Sequence, residues 1–157
     1  MAQASTTNKE LFIVETESPG SRLEIQFVPG AIGGSRQARL QSVAIVGRND
    51  DLLHYTGGSE TLTLELEFYG ENDEVFKALN WLKSLTVNDG YAGAFRTVKI
   101  VFGDLFKNQV WAIKSVKPNM SHFNQETGWL PLRGKASVEF QLDPEKNRYI
   151  DDVRNGR

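Results

Sequence analysis

Apolar and polar residues alternate along three segments of the chain, 22–28, 60–68 and 135–142. Such a period of two predicts strands with one buried and one solvated face, as in antiparallel sheets. The middle segment is the clearest, and its apolar positions are Leu62, Leu64, Leu66 and Phe68. Further strands are expected at 11–14, 38–46, 96–102 and 110–116, which gives about seven in all.

A helical period replaces the alternation after residue 72. Asn72 is a suitable N-cap, and Asp73 adds negative charge at the positive start of a helix. The polar run 88–90 is expected to stop the helix, which is therefore predicted at 73–86. Its apolar stripe comprises Val75, Phe76, Leu79 and Leu82.

These elements predict a mainly β (β-rich α+β) protein with one helix packed on a single domain, residues 1–142. Residues 143–157 form a polar tail without an apolar period, which is expected to be mobile alone or ordered only against a partner. The polar start, 1–8, lacks the basic and apolar runs of a secretory signal, so cytosolic synthesis is expected.

Composition narrows the possible functions. With 39% hydrophobic and 24% charged residues in 157, the chain is too apolar for disorder and too polar for a membrane protein. The net charge of −2 argues against binding nucleic acid through phosphates. The absence of cysteine excludes disulfides and thiol chemistry.

Two acidic residues stand two positions apart in the alternating strand 60–68. Glu65 and Glu67 would project from one face about 6–7 Å apart, at about 3.3 Å rise per residue. That spacing touches the range of an inverting glycosidase pair. Glutamates on the solvated face of an amphipathic strand are the commoner explanation, and nothing nearby indicates a raised pKa.

Other candidate chemistry is weaker. The glycine-rich segment 30–34 lacks the Lys-Ser/Thr pair of a phosphate loop, so a flexible connection is predicted. Asp50, Asp51 and His54 offer metal ligands, but the second histidine, His122, is distant in the sequence, and a solvated loop is predicted. We therefore expect a protein that is not an enzyme, with no cofactor and no metal.

Polar stretches outside the clearest strands are candidates for partner contacts. The segment 36–48 carries three arginines, which indicate a solvated or interface strand because a net positive charge and a stacking motif are both lacking. Two loops, 30–39 and 49–58, and the tail 143–157 are long and polar. The candidate contact residues in these segments are Arg36, Arg39, Asp50, Asp51, Arg148 and Tyr149.

The order of several segments carries more information than any motif alone. An early strand ends in Phe27-Val28-Pro29, and Tyr55-Thr56-Gly57-Gly58 precedes the alternating strand. After the helix, the turn Gln125–Trp129 leads into Leu130-Pro131-Leu132-Arg133 and the last strand. Over about residues 22–142 the chain resembles the tube-like proteins of contractile injection systems and contractile phage tails, especially baseplate tube initiators. The matching positions are Phe27, Pro29, Tyr55, Gly57, Gly58, Gly128, Pro131 and Arg133.

This resemblance implies two packed antiparallel sheets in a barrel-like sandwich flanked by one α-helix. It also implies six copies in a ring, where edge strands can pair with neighbours and avoid open-ended aggregation. Many relatives continue into a peptidoglycan-binding LysM module. This sequence ends at Arg157 without one, so a shorter, purely assembling member is expected.

The leading hypothesis is a structural assembly protein at the junction of baseplate hub and tail tube, which templates tube assembly. Its expected partners are copies of itself and the tail-tube, hub/spike and other baseplate subunits, without sequence-specific nucleic acid or membrane. Its expected location is a virion tail or injection particle assembled in the bacterial cytoplasm. The alternatives are a major tail-tube subunit or a carbohydrate-binding β-sandwich that uses exposed tryptophans such as Trp111 or Trp129.

Overall fold

A computed structural model describes residues 11–17, 21–87, 95–144 and 148–156. The polar run 88–90, predicted to stop the helix, lies outside the described residues, as does the polar start 1–8. In chain order the elements are β1 (Leu11–Glu15), β2 (Arg22–Glu24), β3 (Ile32–Val43), β4 (Leu52–Tyr69), α1 (Glu74–Ser84), β5 (Thr97–Phe102), β6 (Trp111–Asn124), β7 (Leu130–Leu142) and α2 (Ile150–Arg154).

The strands form one antiparallel sheet in the order β2-β1-β5-β6-β7-β4-β3. The prediction of a β-rich fold with a flanking helix is confirmed, although the described strands join one continuous sheet rather than two separately hydrogen-bonded ones. The sheet is not closed, and β2 and β3 are its edges. Among the described residues, neither helix is long and apolar enough to cross a membrane.

The core lies where strand alternation and the helix meet. In β4 the predicted set Leu62, Leu64, Leu66 and Phe68 is buried, and in β7 the buried positions include Ala136, Val138 and Phe140. β4 and β7 pair directly in this region, with Leu64 opposite Val138. Burial of one face therefore determines the register, since a shift of one residue would expose the whole apolar set.

The helix α1 packs directly above Gly134 of β7. A Cβ atom placed on Gly134 would lie 2.6 Å from Cγ1 of Val75 and 3.2 Å from Cδ1 of Leu79. Because real carbon contacts are longer than this, the absence of a side chain at Gly134 is what allows the close approach of helix and sheet.

The ends and exposed face of α1 differ from the sequence prediction. The helix begins at Glu74 with Asp73 as N-cap, whereas Asn72 lies outside it and its backbone N–H donates to the Glu74 carboxylate at 2.9 Å. Phe76, predicted on the apolar stripe, is exposed. The stripe contains Ala78 instead, because the positions three and four residues after Val75 face the sheet.

The early strand is shorter than its alternation predicts. β2 ends at Glu24, and although Ile25 is still buried, Phe27 is exposed. The backbone N–H of Ile25 donates to the Leu11 carbonyl at 3.0 Å, after which the described chain leaves the sheet. The predicted strand 22–28 is therefore wrong beyond residue 24.

Candidate functional site

A long hairpin projects from the edge of the sheet. We call residues 32–60 the arm; it consists of β3, the turn 44–51 and the first half of β4. No residue of the arm is buried. β3 pairs with β4 along its whole length, but β7 covers β4 only from Thr61 onwards. From Glu60 to Leu52 the arm therefore extends about 27 Å, at about 3.4 Å per residue, as a two-stranded ribbon.

The arm corrects the prediction of two loops at 30–39 and 49–58. β3 begins at Ile32 and β4 at Leu52, so most of both segments is strand. Glycine and short polar residues made these segments look like connections, because such residues mark turns in most sequences. Pairing between β3 and β4 overrides that local preference.

Apolar side chains are exposed along the arm, on residues that are otherwise typical of a core. Leu53 is 62% exposed, and Leu40 is 56% exposed. Contiguous exposed apolar surface is typical of interaction sites, protein–protein interfaces among them. The exposed apolar set of the arm is Leu40, Val43, Ile45, Val46, Leu52, Leu53 and Tyr55.

A β-bulge divides the arm at the Tyr55–Gly58 motif. Arg39 pairs with Gly57 and Leu40 with Tyr55, so Thr56 is the extra residue of β4, and its hydroxyl donates to the Arg39 carbonyl at 3.1 Å. Gly57 has φ of 120°, a value that favours glycine. A bulge bends a strand and increases its twist, so this motif sets the direction of the outer arm.

Close packing explains the second glycine of the motif. A Cβ atom on Gly58 would lie 2.9 Å from the Gln37 carbonyl oxygen and 3.2 Å from the Tyr55 hydroxyl. The motif predicted at Tyr55, Gly57 and Gly58 thus has a structural role inside a strand, rather than in the loop that the sequence suggested.

Glu60 joins the base of the arm to the C-terminal segment, residues 148–156. Its Oε2 accepts hydrogen bonds from Nη1 of Arg36 at 3.3 Å and from Nη1 of Arg148 at 2.9 Å. The Arg148 side chain is only 14% exposed. At the other end of the segment, the Gly156 carbonyl accepts from Nε2 of Gln109 at 3.4 Å. The described part of the tail, residues 148–156, therefore packs on its own chain and contains the short helix α2, which the sequence pattern did not predict.

A cavity of about 500 Å³ opens between the arm base and this segment. Three of its seven lining residues are arginines and none carries a carboxylate; the others are aromatic or aliphatic. The structure thus brings together four candidate contact or motif positions that are distant in sequence. The lining residues are Arg36, Tyr55, Arg148, Tyr149, Ile150, Val153 and Arg154.

The remaining contact candidates lie elsewhere on the arm. Asp50 and Asp51 are exposed at its tip, just before β4 begins. The guanidinium of Arg39 approaches Gly57 at the bulge, with Nη2 3.0 Å from the position of a Gly57 Cβ atom. The six candidates therefore divide among the tip, the bulge and the base of one structural feature.

A second exposed apolar site lies at the opposite end of the strands. The β6–β7 turn contains a 3₁₀ turn at Gln125–Thr127 followed by Gly128 at φ of 81°, as the predicted turn requires. Trp129 is 63% exposed, and Phe123, on the other side of the turn, is also exposed. Pro131 is buried at the start of β7, opposite Phe123, and Arg133 lies exposed opposite Tyr69.

The predicted glutamate pair lies beside the predicted Phe27 and Pro29 positions, around a cavity of about 590 Å³. Lys135 Nζ lies 2.9 Å from Oε1 of Glu67. The hydrogen bond and the charge of Lys135 lower the pKa of Glu67. An acid catalyst of glycoside hydrolysis needs a raised pKa, so the shift runs against that role for Glu67.

The two histidines do not share a site. His54 pairs with Gln41 in the outer arm, whereas His122 lies near the β6–β7 turn and contacts the Ser121 hydroxyl at 3.1 Å. Within the described ranges, no group of three or more histidine, aspartate or glutamate residues is arranged to hold a metal ion.

Two features of this surface were missed by sequence reasoning. Glu60 received no role, because its partner Arg148 is 88 residues away and neither has a local signature. The exposed apolar residues at 43–46 and 52–53 fall in the predicted strand 38–46 and the predicted loop 49–58. Their apolar character in a polar context was a signal that could have marked them.

Neither a family model nor a curated protein sequence matches the chain. Among solved structures, it is similar to a chain in the tail of an empty gene transfer agent particle refined with C6 symmetry. That match has 12% identity and a TM-score of 0.43, over 94% of this chain and 99% of the other.

A chain in the six-fold symmetrised baseplate of the anti-feeding prophage is similar at 12% identity and a TM-score of 0.42, over 92% and 95% of the two chains. A chain in the virion of a native gene transfer agent matches at 11% identity and a TM-score of 0.39, over 91% and 100%. Identity and TM-score are low in each case, so these likenesses assign no function by themselves.

Proposed function

We propose that this protein is a structural subunit of a contractile tail or injection particle, which self-assembles into a ring at the junction of baseplate hub and tube. The observation that supports it most is the arm, a ribbon with both faces solvated and apolar side chains along it. The resemblance of the segment order to tube-like proteins supplies the class of assembly.

The energetics of the arm favour a partner. An isolated two-stranded hairpin is only marginally stable in water, and this one extends beyond the strand that covers the rest of β4. The outer edge of β3 has no strand partner among the described residues. Contact with another copy would bury the apolar side chains and pair this edge, which in a closed ring leaves no free edge.

The mass of the assembled protein tests this proposal. The full chain, alone and with the hub and tube proteins of the same particle, is examined by light scattering and negative-stain microscopy. Rings of six copies are the expected result. A chain that remains monomeric with those partners present would contradict the proposed function.

Variants of the arm test whether its exposed apolar side chains are required for assembly. Replacing Leu40, Val46 and Leu53 by serine is expected to abolish rings with little change in the melting temperature, because these side chains are exposed. The matched control replaces Val87 and Leu105 by serine. Both are exposed apolar residues outside the arm, and this variant should still form rings. Equal loss of assembly in both variants would remove the special role of the arm.

Copy number distinguishes an initiator or hub adaptor from a major tube subunit. Six copies per particle are expected at the hub junction, whereas a subunit that polymerises along the tail would be far more abundant. Quantitative mass spectrometry of purified particles decides between them.

A carbohydrate-binding module is the second candidate, and one observation favours it. Trp129 is exposed, whereas Trp111 is only 1% exposed, so the prediction that Trp111 is an exposed binding residue is wrong. Glycan binding by the full chain that is lost on Trp129→Ala would support this candidate, with exposed Phe95→Ala as the control.

A further inference from the structure

We propose that the acidic tip of the arm in one copy docks into the arginine-lined cavity at the arm base of the next copy. This inference rests on the proposed self-assembly and specifies its contact. The occupant is a second copy of this chain, and the argument is complementarity between two surfaces of the same molecule.

The first surface is the tip, residues 44–51. Asp50 and Asp51 carry two negative charges there, against one positive charge on Arg48. Ile45 and Val46 are exposed beside them, and Val46 has no shielding at all. The tip thus presents a small apolar group with adjacent carboxylates and a net charge of −1.

The second surface is the cavity of about 500 Å³ at the arm base. Its lining offers guanidinium groups from Arg36, Arg148 and Arg154, and an apolar wall that includes Ile150 and Val153. Glu60 engages two of these arginines from outside the lining set. An occupant with apolar side chains and carboxylates matches this lining, and the tip provides both.

Within the proposed ring this contact is heterologous, because it joins two different surfaces of neighbouring copies. Tip and base lie at opposite ends of the arm, about 27 Å apart from Glu60 to Leu52 at about 3.4 Å per residue. The tip of one copy therefore meets the base of the next, and repetition of such a contact produces a closed ring or an open filament. The short arm turn cannot fold back onto its own base, because β3 and β4 are paired continuously up to it.

Charge reversal on each surface tests the docking. The tip variant is Asp50→Lys with Asp51→Lys, and the base variant is Arg154→Glu with Arg36→Gln. The residues chosen are exposed, and the less exposed Arg148 is left unchanged. For each variant alone, the protein concentration required for assembly, measured by light scattering, is expected to rise at least tenfold.

An equimolar mixture of the tip variant and the base variant provides the decisive test. In an alternating assembly, each reversed tip meets a reversed base and each unmodified tip meets an unmodified base. Mixing is therefore expected to restore assembly. The control Glu71→Lys with Asp104→Lys makes the same change in net charge as the tip variant, at exposed positions away from the arm, and should assemble normally.

The outcomes separate this inference from the proposed function. Assembly of both single-surface variants at the normal concentration would overturn the docking while leaving the ring intact. The docking would also be overturned if both variants lost assembly and mixing did not restore it, while their circular dichroism spectra and melting temperatures stayed like those of the unmodified chain. An unmodified chain that never assembles would remove both proposals together.

Discussion

The two halves of β4 are parts of one strand with opposite environments. In Thr61–Tyr69 every second side chain is buried, and β7 pairs along the whole segment. In Leu52–Glu60 no side chain is buried and β3 is the only strand partner within the described ranges, although leucines and a tyrosine occur there too. The difference lies in the neighbours and not in the apolar content.

This contrast separates stability from assembly. Contacts of the second half stabilise the folded chain, because α1 and β7 remove its side chains from water. The exposed apolar side chains of the arm gain nothing comparable within one chain. Substitutions in the two halves should therefore affect different measurements.

The largest expected effect is in the core. Phe140, fully buried in β7 opposite Leu62, is replaced by alanine. The free energy of unfolding should fall by about 3–5 kcal/mol, since a large cavity is left. Leu53→Ala in the arm should change it by less than about 0.5 kcal/mol at concentrations where the chain is monomeric. Chemical denaturation measures both, and similar losses would remove the contrast.

A second variant tests the close packing of α1 on β7. Gly134→Val should lower the free energy of unfolding by about 1–3 kcal/mol, because its side chain would overlap Val75. Gly33→Val on β3 is the control, since a Cβ atom there lies 4.0 Å from the nearest atom, Cβ of Thr63. A Gly134 variant as stable as the control would contradict the close packing of α1 on β7.

The link between arm and C-terminal segment gives a smaller effect. Glu60→Gln removes the charge that Arg36 and Arg148 share, and should reduce the free energy of unfolding by about 1 kcal/mol or less. Hydrogen exchange in residues 148–156 should become faster while exchange in β7 stays unchanged. Glu71→Gln, at an exposed position, is the control, and unchanged exchange in both variants would show that the link does not hold the segment.

The smallest effect concerns the start of α1. A hydrogen bond from Lys77, with Nζ 2.9 Å from Oδ2 of Asp73, lowers the pKa of Asp73 and raises the pKa of Lys77. A group whose pKa is lowered in the folded state stabilises the fold at pH values above its unfolded pKa. This stabilisation is lost as the pH falls through the folded pKa. The raised pKa of Lys77 has the opposite sign, so its contribution is lost only as pH rises through the folded pKa of Lys77.

Asp73→Asn should therefore melt slightly below the unmodified chain at neutral pH. The difference should vanish in acid, at pH values below the folded pKa of Asp73. Thermal melts across pH measure it, with Asp104→Asn, which pairs with Lys107 outside the helix, as the comparison. A difference that grows in acid would contradict the sign.

Much of the fold was predictable where a residue's environment follows from its near neighbours. The set Leu62–Phe68 alternates because one face of the strand is buried, and Gly128 marks a turn because it adopts a positive φ. At Tyr55–Gly58 the same logic failed. Glycines in a bulge and glycines in a loop have the same local signature, and only pairing with β3 distinguishes them.

The candidate site was predictable only in pieces. Arg36, Asp50 and Arg148 were nominated as polar residues outside the core, without any indication that Arg36 and Arg148 meet at Glu60. Glu60 and Arg148 are 88 positions apart, and no periodic pattern encodes such a distance.

The periodicity of apolar residues by itself determined that this protein is β-rich with one main helix, because burial of one face repeats every second residue in a strand and every three to four residues in a helix. Tertiary structure alone decided that β3 and half of β4 leave the core as an arm. Whether an apolar strand residue is buried depends on which surfaces pack against it. For β4 those surfaces come from α1, which follows it directly, and from β7, which lies far along the chain.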